Sequence, residues 1–172
     1  FDLKKNLDKK IKFYLLYGSN IGLIEEVIDN TIKPNYSKNI YTFDEKEVIN
    51  NLDQFKESVY NKSFFEKEKL IIINRATDKI FNILKDLVEN EINDLKLIIK
   101  SGILEKKSKL RNFFEKNEKT LIIPFYEDNY QSLISFAQSY FKENKITMST
   151  QYINIIIERS KGNRINLKNE LE

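Results

Sequence analysis

Five short apolar runs, set between longer segments of helical spacing, constrain this chain more than any other feature of its sequence. They are Phe13-Tyr14-Leu15-Leu16-Tyr17, Asn39 to Phe43, Leu70-Ile71-Ile72-Ile73, Leu95-Lys96-Leu97-Ile98-Ile99 and Leu121-Ile122-Ile123-Pro124. A strand with one wet face alternates apolar and polar residues, whereas a strand buried on both faces reads as an almost unbroken apolar run. Between the runs, apolar residues recur at helical spacing. Leu23, Ile24, Val27 and Ile28 do so within 21–32, where Lys33-Pro34 ends the helix. Val48, Leu52, Phe55 and Val59 follow, then Ile80, Ile83, Leu84 and Leu87. A basic turn and helix over 106–116 and a helix over 130–141 complete the alternation. Strands alternating with helices predict a doubly wound α/β domain over residues 1–144, with a five-stranded parallel sheet covered on both faces.

Past Lys145-Ile146-Thr147 the pattern changes. Ser149 is placed to cap a helix carrying Tyr152, Ile153, Ile156 and Ile157, which Ser160-Lys161-Gly162-Asn163 ends. A further helix opens near Arg164. Two helices with no strand between them predict the start of a separate small helical domain over 145–172.

Composition excludes several chemistries. The 172 residues include no Cys and no His. That removes disulfides, Cys or His metal ligands, a Cys nucleophile and a His general base; an all-carboxylate metal site stays open. The charges, 29 basic and 26 acidic, are interspersed and sum to only +3, so they do not argue for nucleic-acid binding. The longest apolar runs fall far short of the roughly 20 residues of a membrane helix. The opening Phe1-Asp2-Leu3-Lys4-Lys5 lacks the apolar core of a signal peptide. The expectation is a cytoplasmic protein with no membrane partner.

In an open parallel sheet, ligands bind at the carboxyl ends of the strands, beside the first strand-to-helix loop. A phosphate-binding loop there reads G-x-x-x-x-G-K-[ST]. This chain has Gly18-Ser19-Asn20-Ile21-Gly22-Leu23-Ile24. The glycines Gly18 and Gly22 stand one residue too close, and Leu23 and Ile24 replace the Lys and the hydroxyl residue. At the end of the third strand, where such an ATPase carries Asp-Glu for Mg²⁺ and water, this chain has Asn74-Arg75. Neither position offers the charge that nucleotide chemistry needs, and no cofactor is expected.

Two further segments stand out. Phe64 and Phe65 are adjacent within the polar stretch Asn61-Lys62-Ser63-Phe64-Phe65-Glu66-Lys67-Glu68-Lys69. Neighbouring side chains on one helix or strand cannot face the same core, so this pair is a candidate exposed anchor. The alternative folds one or both back onto the helix over 48–59. The charged run from Glu66 to Lys69 reads by itself as a solvated loop. The basic run Lys106, Lys107, Lys109 and Arg111 is a candidate contact for DNA phosphate or an acidic partner. A solvated helix start, with Leu110 and Phe113 turned inward, is the plainer reading.

These features, in this order, resemble the delta subunit of bacterial DNA polymerase III, the clamp-opening subunit of the replicative clamp loader. The resemblance rests on Tyr14-Leu15-Leu16-Tyr17-Gly18 with Leu23-Ile24-Glu25-Glu26, on Ser63-Phe64-Phe65 before Lys69-Leu70-Ile71-Ile72-Ile73, and on Leu104-Glu105-Lys106-Lys107-Ser108-Lys109-Leu110. Gly162-Asn163 with Leu167 and Asn169-Glu170-Leu171-Glu172 complete it. It implies an AAA+-like first domain, the start of a helical lid, and a collar domain that this chain does not include. It also implies a non-catalytic subunit of the holoenzyme that binds no ATP. Its partners would be the sliding clamp (the beta subunit), other loader subunits through the collar, and primed DNA within the assembled loader. In the family a small residue followed by Leu-Phe enters a pocket on the clamp; here those positions are Ser63, Phe64 and Phe65, with Phe in place of Leu and Glu66 where Gly is common. The rival readings are a scaffold module with a different partner and a nucleoside triphosphatase with an unorthodox site.

Overall fold

The computed structural model describes residues 11–36, 40–61, 68–90, 92 and 94–172. Contacts divide the chain into two compact units, Phe1–Phe125 and Tyr126–Glu172.

In the first unit, β1 (Phe13–Gly18) leads into α1 (Ile21–Val27), which continues as a π-helical turn (Ile28–Ile32) and a 3₁₀ turn (Lys33–Asn35) containing Pro34. β2 (Ile40–Asp44) is followed by α2 (Glu45–Asn50) and α3 (Leu52–Tyr60). The spacing predicts one helix here. The structure breaks it at Asn51, whose backbone leaves the helical region (φ −127, ψ 54). β3 (Lys69–Asn74), a 3₁₀ turn (Asp78–Ile80), α4 (Phe81–Glu89), β4 (Leu95–Ser101), α5 (Lys109–Lys116) and β5 (Thr120–Phe125) complete the unit.

Among the described residues, the strands form one sheet in the order β2-β3-β4-β1-β5, every pairing parallel. Pro124 lies on the edge strand β5, where a missing N–H costs no ladder bond. The order explains the two covered faces. The connection from β1 runs back past β4 and β3 to β2, while all later ones advance the other way. With right-handed crossovers, the first connection covers one face and the rest cover the other.

Side chains follow this division. Phe13 and Leu15 of β1, Ile71 and Ile73 of β3, and Leu97 and Ile99 of β4 join a core with Val48, Phe55, Leu84, Leu110 and Phe114. The alternate residues Tyr14, Leu16, Leu70, Ile72 and Ile98 join a second core with Ile24, Ile28 and Ile32. Apolar side chains on both faces are why these strands show no in-out alternation.

Asp78 ties α5 to the turn after β3. Its carboxylate accepts from Ser108 Oγ (2.6 Å), Lys109 N (3.0 Å) and Leu110 N (3.0 Å). Ser108 itself caps α5, accepting from Arg111 N. Burial pushes the Asp78 carboxyl up, but the hydrogen bonds from Ser108, Leu110 and Lys109 and the Lys109 charge outweigh it and hold the group below its usual range.

The second unit holds α6 (Tyr130–Glu143), α7 (Thr150–Arg159) and α8 (Arg164–Leu171). The alternation of strands and helices predicts a boundary at 144, with the helix over 130–141 in the sheet domain. The compact units instead divide after Phe125. The reason is the apolar stripe of α6: Leu133, Ala137 and Phe141 share a core with Ile153, Ile157, Leu167 and Leu171 of the other two helices. Ser149 caps α7 as its position predicts, accepting from Tyr152 N (3.4 Å). Arg164 pairs with Asp128 at 2.9 Å and lies 4.2 Å from the Phe136 ring. Among the described residues no helix is long and apolar enough to cross a membrane.

Two outcomes test this account. Leu15→Ala, in the centre of the sheet, should lower unfolding free energy by about 2–5 kcal/mol in urea titration. Asp78→Asn should cost about 1 kcal/mol at neutral pH. Because the folded-state pKa is depressed, that contribution is full above the unfolded Asp value of about 3.9. It is lost as pH falls through the folded value, so the gap between wild type and variant should hold at pH 6 and close on acidification.

Candidate functional site

Connections leave β1 and β4 over opposite faces of the sheet although the two strands are neighbours. The crevice between their carboxyl ends is therefore the topological switch point, where an open α/β sheet places its ligand. Here the chain's own atoms take the available partners. Gly18 N–H donates to Gly102 O at 3.2 Å. Gly18 has φ +142, and a Cβ there would lie 2.0 Å from Phe125 O, so the position requires glycine for backbone approach. Asn20 N–H donates to Phe125 O (3.3 Å), and its side-chain oxygen accepts from Leu23 N (3.1 Å), capping α1.

The helix thus begins at Ile21, before a wide phosphate loop can form. Gly22 lies inside α1. Leu23 packs half-buried against the second core and Ile24 is wholly buried in it. Lys100, next to the crevice on β4, is ion-paired with Glu25 of α1. The rim carries Ile21 and the strongly exposed Ile103. This surface is apolar, and its cation is already neutralised.

At the end of β3, Asn74 lies opposite Asp44 of β2 in the strand register. Its Oδ1 is buried with no hydrogen-bond partner among the described residues. Arg75 adopts a left-handed backbone (φ 56) and pairs with the Asp44 carboxylate. The loop after β3 is tied to the end of β4 by Ala76 N donating to Lys100 O (2.9 Å) and by Ser101 Oγ donating to Ala76 O (2.6 Å). Among the described residues, no group of three or more carboxylates converges as a metal site.

Ser63, Phe64 and Phe65 lie outside the described residues, within 62–67. The residues that flank them are firmly held. Lys69, in the run read as a solvated loop, is instead the buried first residue of β3, only 7% exposed. Its Nζ donates to Ser58 O and Asn61 O, both at 2.6 Å, at the carboxyl end of α3. An ammonium there satisfies carbonyls the helix leaves open and opposes its dipole. Burial lowers the Lys69 pKa, and the Asp94 charge partly restores it. Glu68 accepts from Tyr36 OH at 2.7 Å. Burial, and then this carboxylate, push the Tyr36 hydroxyl far above its ordinary value. A lysine between a helix end and an all-apolar strand was the available sequence signal for this role.

The basic run does not form one cationic surface. Arg111 bonds to Glu115 (2.8 Å) and Leu104 O (3.1 Å) and lies 5.3 Å from the Tyr17 ring. Lys107 pairs with the exposed Glu105 at 2.9 Å. Lys106 and Lys109 are exposed. Leu110 is buried as expected, but the inward aromatic is Phe114; Phe113 is only half-buried.

No protein-family model and no curated protein sequence matches this chain. Solved structures do. The chain is similar to the DNA clamp loader delta protein of Bacillus subtilis (TM-score 0.66, 18% identity), over 98% of this chain and 53% of that one. It is similar to domain III of the replication initiation protein DnaA of Thermotoga maritima (TM-score 0.55, 15% identity), over 98% of this chain and 76% of that one. RuvB of Thermotoga maritima gives TM-score 0.60 and 12% identity over 98% of this chain and 56% of that one. The chain thus spans about half the length of the Bacillus protein. Its five-stranded all-parallel sheet with flanking helices is the α/β fold it shares with these structures.

Proposed function

We propose that this chain is the clamp-binding part of a clamp-loader delta subunit, which engages the sliding clamp through Phe64 and Phe65 and does so without ATP. The observation that carries the reading is a pairing of two facts. The chain is similar to a clamp loader delta protein over 98% of its length. Its switch-point crevice is also closed by its own backbone, with Leu23 and Ile24 turned to the core where a nucleotide site needs Lys and a hydroxyl.

In this reading the two Phe side chains enter an apolar pocket of the clamp, with Ser63 beside them. Residues of α3 press near the clamp's subunit interface. Binding shifts the clamp toward an open ring only insofar as the open form is bound more tightly. ATP-driven partner subunits, joined through a collar domain, would control access to the anchor. Primed DNA and the other loader subunits enter as partners of the assembly, and the chain itself is a non-catalytic, cytoplasmic component. The division of labour between an α/β unit and the beginning of a lid follows the same reading.

Calorimetric titration of this chain with the sliding clamp of its own organism, without nucleotide, tests the proposal. Phe64→Ala and Phe65→Ala should each cost about 2–4 kcal/mol of binding. A double variant that binds within about 0.5 kcal/mol of wild type would overturn the anchor assignment, and absence of binding by the intact folded chain would favour a scaffold with another partner. Mg²⁺-ATP should leave the melting temperature unchanged; a dose-dependent rise would favour the unorthodox triphosphatase. Lys69→Met should lower stability by about 1–3 kcal/mol, because two carbonyls at the end of α3 lose their donor. The same variant should also weaken clamp binding although it removes no apolar contact residue.

A further inference from the structure

We infer that the groove between α4 and α5 is a second docking site, which takes an acidic peptide segment carrying an apolar anchor side chain. The groove has a volume of about 410 Å³ and is lined by Phe81, Lys109, Asn112, Phe113, Lys116 and Asn117. Its apolar wall is aromatic. Phe113 meets Phe81 edge-to-face (centroids 5.7 Å, 81° between planes) and meets Phe114 likewise (5.9 Å, 74°). Phe114 is the ring committed to the core. Phe113 is left half-buried, held in place by its neighbours, so a ligand would meet an ordered aromatic wall.

Two cations bracket that wall. Lys109, Asn112, Phe113 and Lys116 share one stripe of α5, at the i, i+3, i+4 and i+7 spacing of a helix face. Among the described residues neither Lys109 nor Lys116 forms an ion pair, unlike Arg111 and Lys107 on the same segment. The Asn112 amide is already committed to Lys106 O (2.7 Å) and Ser108 O (2.8 Å), so the wall between the lysines offers contact area and few free donors. Seven helical residues span about 10.5 Å, which an extended peptide covers in about three residues. The complementary ligand therefore has a carboxylate on each side of an aromatic or aliphatic anchor. A single-stranded nucleic acid needs a continuous basic track and stacking faces along it. Two lysines bracketing a pair of rings packed edge-to-face fit a peptide better. This inference is independent of the clamp reading, since the groove includes neither Phe64 nor Phe65.

The test is fluorescence anisotropy at low salt with the labelled peptides Gly-Asp-Asp-Phe-Asp-Asp-Gly and Gly-Asp-Asp-Leu-Asp-Asp-Gly, measured against the intact chain. At least one should bind saturably below about 1 mM. Binding should weaken at least about tenfold when the anchor is replaced by Ala, when Asp is replaced by Asn, and in the Lys109→Gln/Lys116→Gln variant. That surface variant should keep the wild-type circular dichroism and unfold cooperatively, with at most a small drop in melting temperature from loss of the Lys109 charge beside Asp78. The Phe64→Ala/Phe65→Ala variant should bind the peptide as wild type does. No saturable binding by either peptide, or equal binding by the lysine variant, would overturn the inference. So would tighter, lysine-dependent binding of oligothymidylate that displaces the peptide, which would assign the groove to nucleic acid.

Discussion

β1 is hydrogen-bonded to β4 on one side and β5 on the other, so the turn that leaves it must pass between two other backbones. The Gly102 carbonyl takes the Gly18 N–H, and the Phe125 carbonyl comes so close that no side chain fits at position 18. That carbonyl also takes the Asn20 N–H, and the Asn20 side chain closes the first turn of α1. A phosphate cradle works by pointing several such N–H groups at an anion; here they are already spoken for. Leu23 and Ile24 follow from the same geometry. Once the helix starts at Ile21, positions 23 and 24 turn toward the sheet, and burying an Ile side chain there contributes roughly 1.5–3 kcal/mol. The closed turn and the packing of positions 23 and 24 are thus two consequences of one geometry.

Much of the fold was legible because a strand buried on both faces cannot alternate. The runs at Leu70–Ile73 and Leu95–Ile99 send successive apolar side chains into two cores, as a strand covered on both faces requires. What the sequence concealed depends on distant partners. The break at Asn51 leaves the apolar spacing intact, since Val48, Phe55 and Val59 all reach the same core. The stripe of α6 shows that the helix has a buried face without saying which unit it faces. Phe113 and Phe114 are adjacent aromatics, and spacing alone does not say that Phe114 enters the core while Phe113 packs beside it against Phe81. Lys69 resembles its charged neighbours until the open carbonyls of α3 are placed beside it.

For the candidate site, the legible part of the sequence is its departure from the nucleotide-site pattern. The wrong residues at Leu23, Ile24, Asn74 and Arg75 can be recognised from spacing alone, because nucleotide sites demand fixed chemistry at fixed offsets. Arg75 shows what replaces it: a carboxylate at the neighbouring strand end, Asp44, is held in an ion pair and not turned to a metal. A docking surface has no such code. Its energy comes from a few anchors in a shape set by the partner, and a candidate such as Phe64-Phe65 is marked in the sequence only by its incongruity in a charged stretch.

The anchorage on either side of that stretch bears on how it can act. Lys69 joins the last carbonyls of α3 to the first residue of β3, and the next two residues, Leu70 and Ile71, enter the two cores on opposite faces of the sheet. Glu68 is fastened to Tyr36 near the end of the π-helical and 3₁₀ turns that follow α1. A segment hung from fixed ends loses less conformational entropy when a partner orders it than one hung from frayed ends. An ammonium is suited to that joint, because it donates to two carbonyls at once and its charge opposes the dipole of the helix that ends there. The lowered Lys69 pKa reflects the desolvation that accompanies this placement, a cost offset by the two carbonyls it satisfies and by the two cores that the following residues enter.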